Sequence, residues 1–230
     1  HNTVYTGSAD GHLYAFDAVS GHVRWISTPT NNAINSSPVV ANNIVYIGST
    51  DGNLYAFDEK TGQKLWASIT GGKINSSPAL FANTIVVGSE DHYVYAFDAS
   101  DGHLLWRSVR TGNIVDSSPA IDNNVVYVGS WDQILYAFDL RNGQTLWMAQ
   151  TKGYINSSPA LANGVLYIGS TDNNLYAFDM KTHHQLWQTA TDGPLVSSPA
   201  VANGVVYIGS AGKQVYAFDA LTGSILWNYA

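Results

Sequence analysis

The sequence predicts an all-β protein built from six copies of one four-stranded antiparallel sheet. Two observations carry this prediction, namely a motif that returns at a nearly constant interval and short apolar segments separated by tight-turn pairs. The motif is Tyr-Ala-Phe-Asp, which ends at Asp17, Asp58, Asp98, Asp139, Asp179 and Asp219. The intervals are 40 or 41 residues, and such regularity is typical of repeat architectures.

The segments within one copy have the length and composition of strands. They contain four to seven residues rich in Val, Ile, Tyr, Leu and Trp, and Asn-Asn, Asp-Gly or Thr-Gly pairs separate them. In the second copy the predicted strands are Ser37–Ala41, Ile44–Gly48, Asn53–Asp58 and Lys64–Ser68, with turns near Asn42, Asp51 and Thr61. This order predicts a four-stranded meander.

Several strands are apolar at consecutive positions, as in Ile44–Ile47, which indicates burial on both faces of the sheet. Radially stacked blades of a β-propeller provide such burial, whereas no copy has the 3.6-residue periodicity of a helical solenoid. We therefore predict a single β-propeller domain over residues 1–230. Its blades are expected at approximately 1–30, 31–70, 71–111, 112–152, 153–192 and 193–230.

The first copy is incomplete. It begins directly at the segment Thr3–Gly7, which corresponds to the second strand of the other copies, so its innermost strand is missing. This deficit indicates either a segment of a longer protein or a ring with one defective blade. A parent ring of seven or eight blades is not excluded.

The landmarks of each copy resemble the pyrroloquinoline-quinone (PQQ) type propeller repeat. They run Ser-Ser-Pro, Val-Tyr-Ile-Gly-Ser, Asp-Gly, Leu-Tyr-Ala-Phe-Asp, Thr-Gly and Leu-Trp, and they cover essentially the whole chain. The resemblance implies that the outer-strand tryptophan of each blade docks on the neighbouring blade. The matching residues are Trp25, Trp66, Trp106, Trp147, Trp187 and Trp227.

Composition and charge exclude several classes of function. The formal net charge is −7, and the ten Lys and Arg residues are scattered singly, which argues against a nucleic-acid partner. The chain has no cysteine, so a thiolate metal site and a cysteine nucleophile are impossible. No apolar stretch approaches the roughly 20 residues that span a bilayer, so no membrane span is expected in this segment.

One face of the predicted propeller is the candidate binding face. It collects the turns between the second and third strands, the loops between blades, and the polar start of each inner strand, including Asn35, Asn75, Asp116 and Asn156. Three further residues there depart from the repeat. Trp131 replaces a small or polar residue, and Tyr154 and Arg110 lie in the loops that flank the same blade. Exposed Trp, Tyr and Arg are typical binding anchors, although a surface aromatic can also simply cover a neighbouring turn.

No catalytic motif and no metal site are predicted. The repeated aspartates occur once per blade, too far apart for a catalytic carboxylate pair, and turn hydrogen bonding is their expected role. Among the histidines only His183 and His184 are adjacent, and they are too few for a zinc site. The residues that quinoprotein dehydrogenases commonly place around PQQ and calcium, a vicinal cysteine disulfide among them, are also lacking, so no cofactor is expected.

These observations favour a non-catalytic propeller that binds or scaffolds proteins, as the resemblance to BamB-like and extracytoplasmic sensor propellers implies. The alternative is small-molecule or glycan binding in the channel or in the grooves between blades. A fragment of a PQQ-dependent dehydrogenase is the third and least favoured interpretation. The expected location is the bacterial periplasm or the cell surface.

Overall fold

The computed structural model describes residues 2–230 and consists of antiparallel sheets joined in sequence order. His1 lies outside the described residues. The chain divides into two compact units. One runs to Arg110 and includes Leu140–Gly143, and the other contains Thr111–Asp139 and Gln144–Ala230. Residues 2–230 contain no helix that is long and apolar enough to cross a membrane.

The first unit contains three sheets. Sheet 1 has three strands, β1 (Thr3–Gly7), β2 (Leu13–Asp17) and β3 (Val23–Ile26). Sheet 2 has four strands, β4 (Val39–Ala41), β5 (Ile44–Gly48), β6 (Asn53–Asp58) and β7 (Lys64–Ile69). Sheet 3 also has four, β8 (Ala79–Phe81), β9 (Thr84–Gly88), β10 (Val94–Asp98) and β11 (Leu104–Arg107). The prediction that the first copy lacks its innermost strand is confirmed.

The second unit contains three sheets of four strands each. Sheet 4 is formed by β12 (Ala120–Asp122), β13 (Val125–Gly129), β14 (Ile134–Asp139) and β15 (Thr145–Gln150). Sheet 5 is formed by β16 (Ala160–Ala162), β17 (Val165–Gly169), β18 (Asn174–Asp179) and β19 (Gln185–Ala190). Sheet 6 is formed by β20 (Ala200–Ala202), β21 (Val205–Gly209), β22 (Val215–Asp219) and β23 (Ile225–Tyr229).

The predicted strands of sheet 2 differ from the observed ones at the start of the inner strand and at the end of β7, which extends one residue further, to Ile69. β4 begins at Val39, two residues later than predicted, because Pro38 has no N–H and the Ser37 N–H donates to Ser77 Oγ of the next sheet. The two residues Asn42 and Asn43 connect β4 to β5 with positive φ values of 52° and 62°. Two such residues in a row form the type I′ turn that suits a tight hairpin.

Neighbouring sheets within each unit pack face to face and bury their central strands. In the first unit, Leu13 of sheet 1 joins Val45 and Phe57 of sheet 2 in one apolar cluster. In the second unit, Tyr127 of sheet 4 joins Leu166 and Phe178 of sheet 5 in another. Burial on both faces explains why these strands are apolar at consecutive positions rather than at alternate ones.

Within each unit, outer-strand tryptophans contact the following sheet. The Trp25 indole N–H donates to the Glu59 carbonyl of sheet 2 at 3.0 Å, and Trp187 donates in the same way to Ala220 of sheet 6 at 3.2 Å. The ring of Trp187 also covers Gly223, where an added Cβ would lie 2.5 Å from the indole. These two contacts combine apolar burial with a satisfied indole donor, whereas the buried indole N–H of Trp66 has no hydrogen-bond partner within residues 2–230.

Candidate binding face

Within each unit, the turns between second and third strands lie against the loops that connect the sheets. The Thr50 N–H donates to the Ala33 carbonyl at 2.9 Å in the first unit, and the Thr171 N–H donates to the Tyr154 carbonyl at 3.0 Å in the second. The Trp131 N–H makes the equivalent bond to Ile114 at 3.1 Å. We call this turn-and-loop surface the loop face of each unit.

Trp131 and Tyr154 form an aromatic pair on the loop face of the second unit. Their ring centroids are 5.7 Å apart and their planes differ by 9°, so the rings are stacked. Tyr154 is 49% exposed and Trp131 is half-buried. The Trp131 indole N–H donates to Asn156 Oδ1 at 3.2 Å, so three of the residues singled out in the sequence lie together.

The first unit has polar residues at the corresponding positions. The Asn35 side-chain amide donates to Asn75 Oδ1 at 3.2 Å, and the Asn75 amide donates to Glu90 Oε1 at 2.8 Å. Lys73 extends this network, with its ammonium 3.8 Å from the Glu90 carboxylate. At these positions the first unit therefore has a network of hydrogen bonds in place of the stacked rings.

The remaining two candidate residues are Arg110 and Asp116. Arg110 is exposed and lies outside any strand, after β11 in the first unit. Asp116 is half-buried in the loop that precedes β12 in the second unit. The roles of all seven candidate residues in binding stay predictions.

An aspartate and a tyrosine four residues apart form a repeated contact that the sequence reading missed. In sheet 5, Asp172 Oδ2 accepts the Tyr176 hydroxyl at 2.6 Å and the N–H of Lys152, in the preceding loop, at 2.8 Å. Asp172 Oδ1 accepts the N–H of Asn174 at 3.0 Å. We call this arrangement the Asp–Tyr clasp. The same clasp occurs at Asp51 with Tyr55 and at Asp132 with Tyr136. At Asp91 only the Oδ2 half is formed, with the Tyr95 hydroxyl and the Gly71 N–H, and Oδ1 is buried without a hydrogen bond from any described residue.

The clasp changes the acidity of both partners. Burial and the Asp172 carboxylate raise the pKa of Tyr176 above its ordinary value. Burial alone would raise the pKa of Asp172 as well, but hydrogen bonds from Tyr176, Lys152 and Asn174 outweigh it and lower the pKa of that carboxyl. The clasp therefore holds a charged carboxylate and a neutral phenol at neutral pH, and it ties the turn of one sheet to the loop from the previous sheet.

Sheet 6 departs from this arrangement. Gly212 stands where the other sheets have the clasp aspartate, and Asp192 occupies the preceding loop. A side chain at Gly212 would overlap the Asp192 carboxylate, and the Asp192 N–H donates to the Tyr216 hydroxyl at 3.1 Å. In sheet 6 the carboxylate therefore belongs to the loop rather than to the turn, and the Tyr216 hydroxyl accepts a hydrogen bond from the loop backbone.

The aspartates of the Tyr-Ala-Phe-Asp motif stabilise turns, as expected. Asp58 Oδ1 accepts the N–H groups of Lys60 and Thr61 at 3.1 and 2.8 Å and the Thr61 hydroxyl at 2.7 Å. The hydrogen bonds of Thr61 lower the pKa of Asp58. Asp219 accepts the equivalent bonds from Leu221 and Thr222. These carboxylates are committed to local hydrogen bonds.

One cluster within residues 2–230 has the residue types of a metal site. It consists of Asp98, Asp101 and His103 in the turn between β10 and β11. Its carboxylates already accept hydrogen bonds, Asp98 from Ser100 and Asp101 from the His103 N–H and ring at 3.0 and 2.8 Å. Asp101 and His103 are exposed and Asp98 is half-buried, and their hydrogen bonds to one another and to Ser100 account for the cluster without a ligand.

Two grooves between neighbouring sheets form cavities. One of about 690 Å³ in the first unit is lined by Tyr5, Trp25 and Glu59 among others. A second, of about 500 Å³ in the second unit, is lined by Tyr127, Asn163 and Lys181 among others. These are the grooves that the sequence reading offered for a small molecule or a glycan.

Comparison with known proteins agrees with this architecture. The crystal structure of BamB from Moraxella catarrhalis matches the whole chain with a TM-score of 0.87 and 19% sequence identity, and the chain covers 73% of that structure. The crystal structure of a computationally designed protein, Ika8, matches the whole chain with a TM-score of 0.80 and 19% identity, and 84% of it is covered. No curated protein matches the chain.

The family assignment is independent of these structures. A family model described as outer membrane protein assembly factor BamB matches residues 1–72, 50–156 and 132–230, which overlap and together span the chain. The chain therefore belongs to the family of the outer membrane protein assembly factor BamB, and its sheets are the blades of a β-propeller.

Proposed function

We propose that this chain is a non-catalytic protein-binding propeller whose partner docks on the aromatic pair of the second unit. The stacked rings of Trp131 and Tyr154 carry the proposal, because 49% of Tyr154 is exposed on a loop surface. Aromatic residues in such positions commonly supply most of the energy of a protein interface. Asn156 orients the Trp131 ring, since its side-chain oxygen accepts the indole N–H.

The family supports a more specific version of this proposal. Its model is described as an outer membrane protein assembly factor. We propose that this chain likewise acts as a scaffold, in the periplasm or at the cell surface, and that its partner belongs to the machinery that assembles outer membrane proteins. The partner is then a protein, neither a nucleic acid nor a membrane lipid.

The absence of catalysis is part of the proposal. The motif aspartates, such as Asp58 and Asp219, each accept several local hydrogen bonds. Among the clasp aspartates, Asp172 accepts hydrogen bonds from the Tyr176 hydroxyl and from the backbone N–H groups of Lys152 and Asn174. A general acid or base needs a free lone pair or proton facing the substrate. These carboxylates are structural instead.

The test compares three immobilised forms of the chain, namely wild type, Trp131→Ala and Trp227→Ala. Trp227 is the matched control, because it is 48% exposed and lies on β23 rather than on the loop face. Each form is incubated with detergent-solubilised bacterial envelope proteins, and retained proteins are identified by mass spectrometry. The affinity of each retained protein, once purified, is then measured by calorimetry.

We expect a defined partner to bind wild type and Trp227→Ala alike and to bind Trp131→Ala about tenfold or more weakly, the usual effect of losing a central aromatic anchor. Tyr154→Ala is expected to have a similar effect. Equal binding by all three forms, or no retained envelope protein, would contradict the proposal.

A further inference from the structure

One backbone carbonyl between sheets 4 and 5 lacks the hydrogen bond that its counterparts accept. In sheets 2, 3 and 6 the residue after the motif aspartate offers its carbonyl to a tyrosine or tryptophan of the preceding sheet. These carbonyls belong to Glu59, Ala99 and Ala220, and their donors are Trp25, Tyr46, Tyr167 and Trp187. Met180 occupies this position in sheet 5. Within residues 2–230 the Met180 carbonyl accepts no hydrogen bond.

The hydroxyl of Tyr127, which is the equivalent donor, also lacks a partner. Tyr127 lies on β13 at the position that Tyr46 and Tyr167 occupy in their sheets. Only 2% of Tyr127 is exposed, and no other described residue forms a hydrogen bond with its hydroxyl. Burial and the nearby Asp122 carboxylate raise the pKa of Tyr127, so the hydroxyl keeps its proton at neutral pH. Since buried polar groups are normally hydrogen-bonded, this hydroxyl calls for a partner from outside the chain.

A departure from the repeat accompanies these two groups. In the next pair of sheets the Trp187 ring lies over Gly223, where an added Cβ would lie 2.5 Å from the indole. His183 stands at the glycine position in sheet 5, and its ring stacks on Trp147 with centroids 5.1 Å apart and planes that differ by 20°. The imidazole therefore separates the Trp147 ring from the backbone of the turn. Among the described residues, Trp147 makes no hydrogen bond to the Met180 carbonyl.

Tyr127 and Met180 both line the groove of about 500 Å³ between sheets 4 and 5, which we call the Tyr127 groove. Small-molecule sites commonly have volumes of about 300–1,000 Å³. Sheets 4 and 5 have four strands each and belong to the same unit. The groove lies at the start of β13, whereas the turn that carries Trp131 follows the end of that strand. The Tyr127 groove is therefore separate from the loop face.

The chemistry of the lining selects a hydroxyl group. The Tyr127 hydroxyl donates and the Met180 carbonyl accepts, so one atom that serves both must accept and donate. A hydroxyl does this, whereas an ammonium group only donates and a carboxylate only accepts.

The other polar groups of the groove suit further hydroxyls. Asp122 Oδ2 accepts the Asn123 amide at 2.8 Å, and Asp179 Oδ1 accepts the Lys181 N–H at 3.0 Å. The second oxygen of each carboxylate accepts no hydrogen bond from the part of the chain that the structure describes. Two carboxylates against the single ammonium of Lys181 also repel anions.

We propose that the Tyr127 groove binds a neutral sugar, and that one sugar hydroxyl accepts the Tyr127 O–H and donates to the Met180 carbonyl. Other hydroxyls donate to Asp122 and Asp179, and the side chains of Val125 and Met180 contact the C–H groups of the sugar. The inference goes beyond the proposed protein-binding function, because the Trp131 and Tyr154 rings take no part in it.

The test is a ligand-observed NMR titration of the 230-residue chain with D-glucose, D-galactose, N-acetyl-D-glucosamine and trehalose. We expect at least one of these sugars to bind saturably, with a Kd of about 10 mM or below. The same sugar with every hydroxyl methylated is the chemical control. It accepts hydrogen bonds but cannot donate to the Met180 carbonyl or the carboxylates, so it should not bind. If none of the four sugars saturates, water satisfies Tyr127 and Met180, and the proposal is overturned.

Two variants locate the site. Tyr127→Phe should weaken sugar binding about 2- to 10-fold, the effect of one lost hydrogen bond, and should leave Tm unchanged because the hydroxyl has no partner among the described residues. Tyr167→Phe is the matched control. It should bind the sugar like wild type but have a lower Tm, because it loses the hydrogen bond to the Ala220 carbonyl at 3.1 Å. The proposal is overturned if Tyr127→Phe binds the sugar like wild type, or if its Tm falls as far as that of Tyr167→Phe.

Discussion

Replacing Tyr176 by phenylalanine removes one hydroxyl from the Asp–Tyr clasp of sheet 5 and keeps the buried ring. Tyr176 is 2% exposed, and its hydroxyl donates to Asp172 at 2.6 Å. A hydrogen bond to a charged acceptor contributes about 1.5–3 kcal/mol to stability. Because Asp172 keeps the N–H groups of Lys152 and Asn174, we expect a loss at the lower end, about 1.5–2 kcal/mol. In a domain of this size that corresponds to a decrease in Tm of roughly 3–8 °C.

The measurement is thermal and urea unfolding followed by tryptophan fluorescence, and Tyr216→Phe is the matched control. Tyr216 is also buried, but its hydroxyl accepts the neutral Asp192 N–H at 3.1 Å because Gly212 replaces the clasp aspartate. A neutral hydrogen bond contributes about 0.5–1.5 kcal/mol, so the control should lose less stability than Tyr176→Phe. If both variants lose the same stability, or the control loses more, the charge-assisted clasp is not the source of the effect.

The same pair of proteins should respond differently to acid. The folded-state pKa of Asp172 lies below its ordinary value, so the folded chain binds this proton less readily than the unfolded chain does. The stability that the carboxylate contributes is therefore present above about pH 4 and is lost as the pH falls through the folded-state pKa. The stability difference between wild type and Tyr176→Phe should accordingly shrink between pH 7 and about pH 3. An unchanged difference would show that the hydroxyl acts through packing alone.

Two further substitutions test the contacts between sheets. Gly143→Ala should lower the free energy of unfolding by about 1–3 kcal/mol more than Gly164→Ala does. Both glycines have positive φ, but only a Cβ at Gly143 would contact the Trp106 ring, at 2.5 Å. Equal losses of stability in urea unfolding would refute the packing argument. Gly212→Asp alone should destabilise sheet 6 through repulsion by Asp192, whereas adding Asp192→Gly should restore stability by rebuilding a clasp. The interaction energy between the two substitutions, measured from the free energies of unfolding, should be about 0.5–3 kcal/mol. Additive effects would contradict the inference that Asp192 takes the place of the clasp aspartate in sheet 6.

The repeat made most of the fold predictable from the sequence, because strand and turn signals recur at the same place in every copy. The bounds of β5 and β6 match the prediction, since turn residues with positive φ, Asn43 and Gly52, directly precede the first residue of each strand. The predicted start of β4 was wrong, because it lay two residues too early. Its error has a local cause, because the Ser37 N–H bonds a side chain of another sheet rather than a strand neighbour.

The clasp could not be predicted in full from the sequence, because one of its hydrogen-bond donors is a backbone N–H. Asp172 and Tyr176 are four residues apart, but the Lys152 N–H that completes the clasp comes from a loop 20 residues earlier. No side-chain type marks that donor. A signal was nevertheless present, since an aspartate precedes the tyrosine by four residues in every copy but the last, where Gly212 is accompanied by an aspartate at 192.

The candidate site was partly predictable because its side chains rest on backbone that already serves the fold. The Trp131 N–H bonds the Ile114 carbonyl just as the Thr171 N–H bonds the Tyr154 carbonyl, so the backbone contact is the same whichever side chain is present. The side chain at this turn can therefore change without disturbing the sheets, which is why a departure from the repeat there points to binding rather than to folding. It follows that Trp131→Ala should lower the free energy of unfolding by no more than about 1–3 kcal/mol, the contribution of the stacking contact with Tyr154 and the hydrogen bond to Asn156, while it weakens partner binding. A large loss of stability in that variant would mean that the aromatic pair holds the loop in place, and its exposure would then say nothing about a partner.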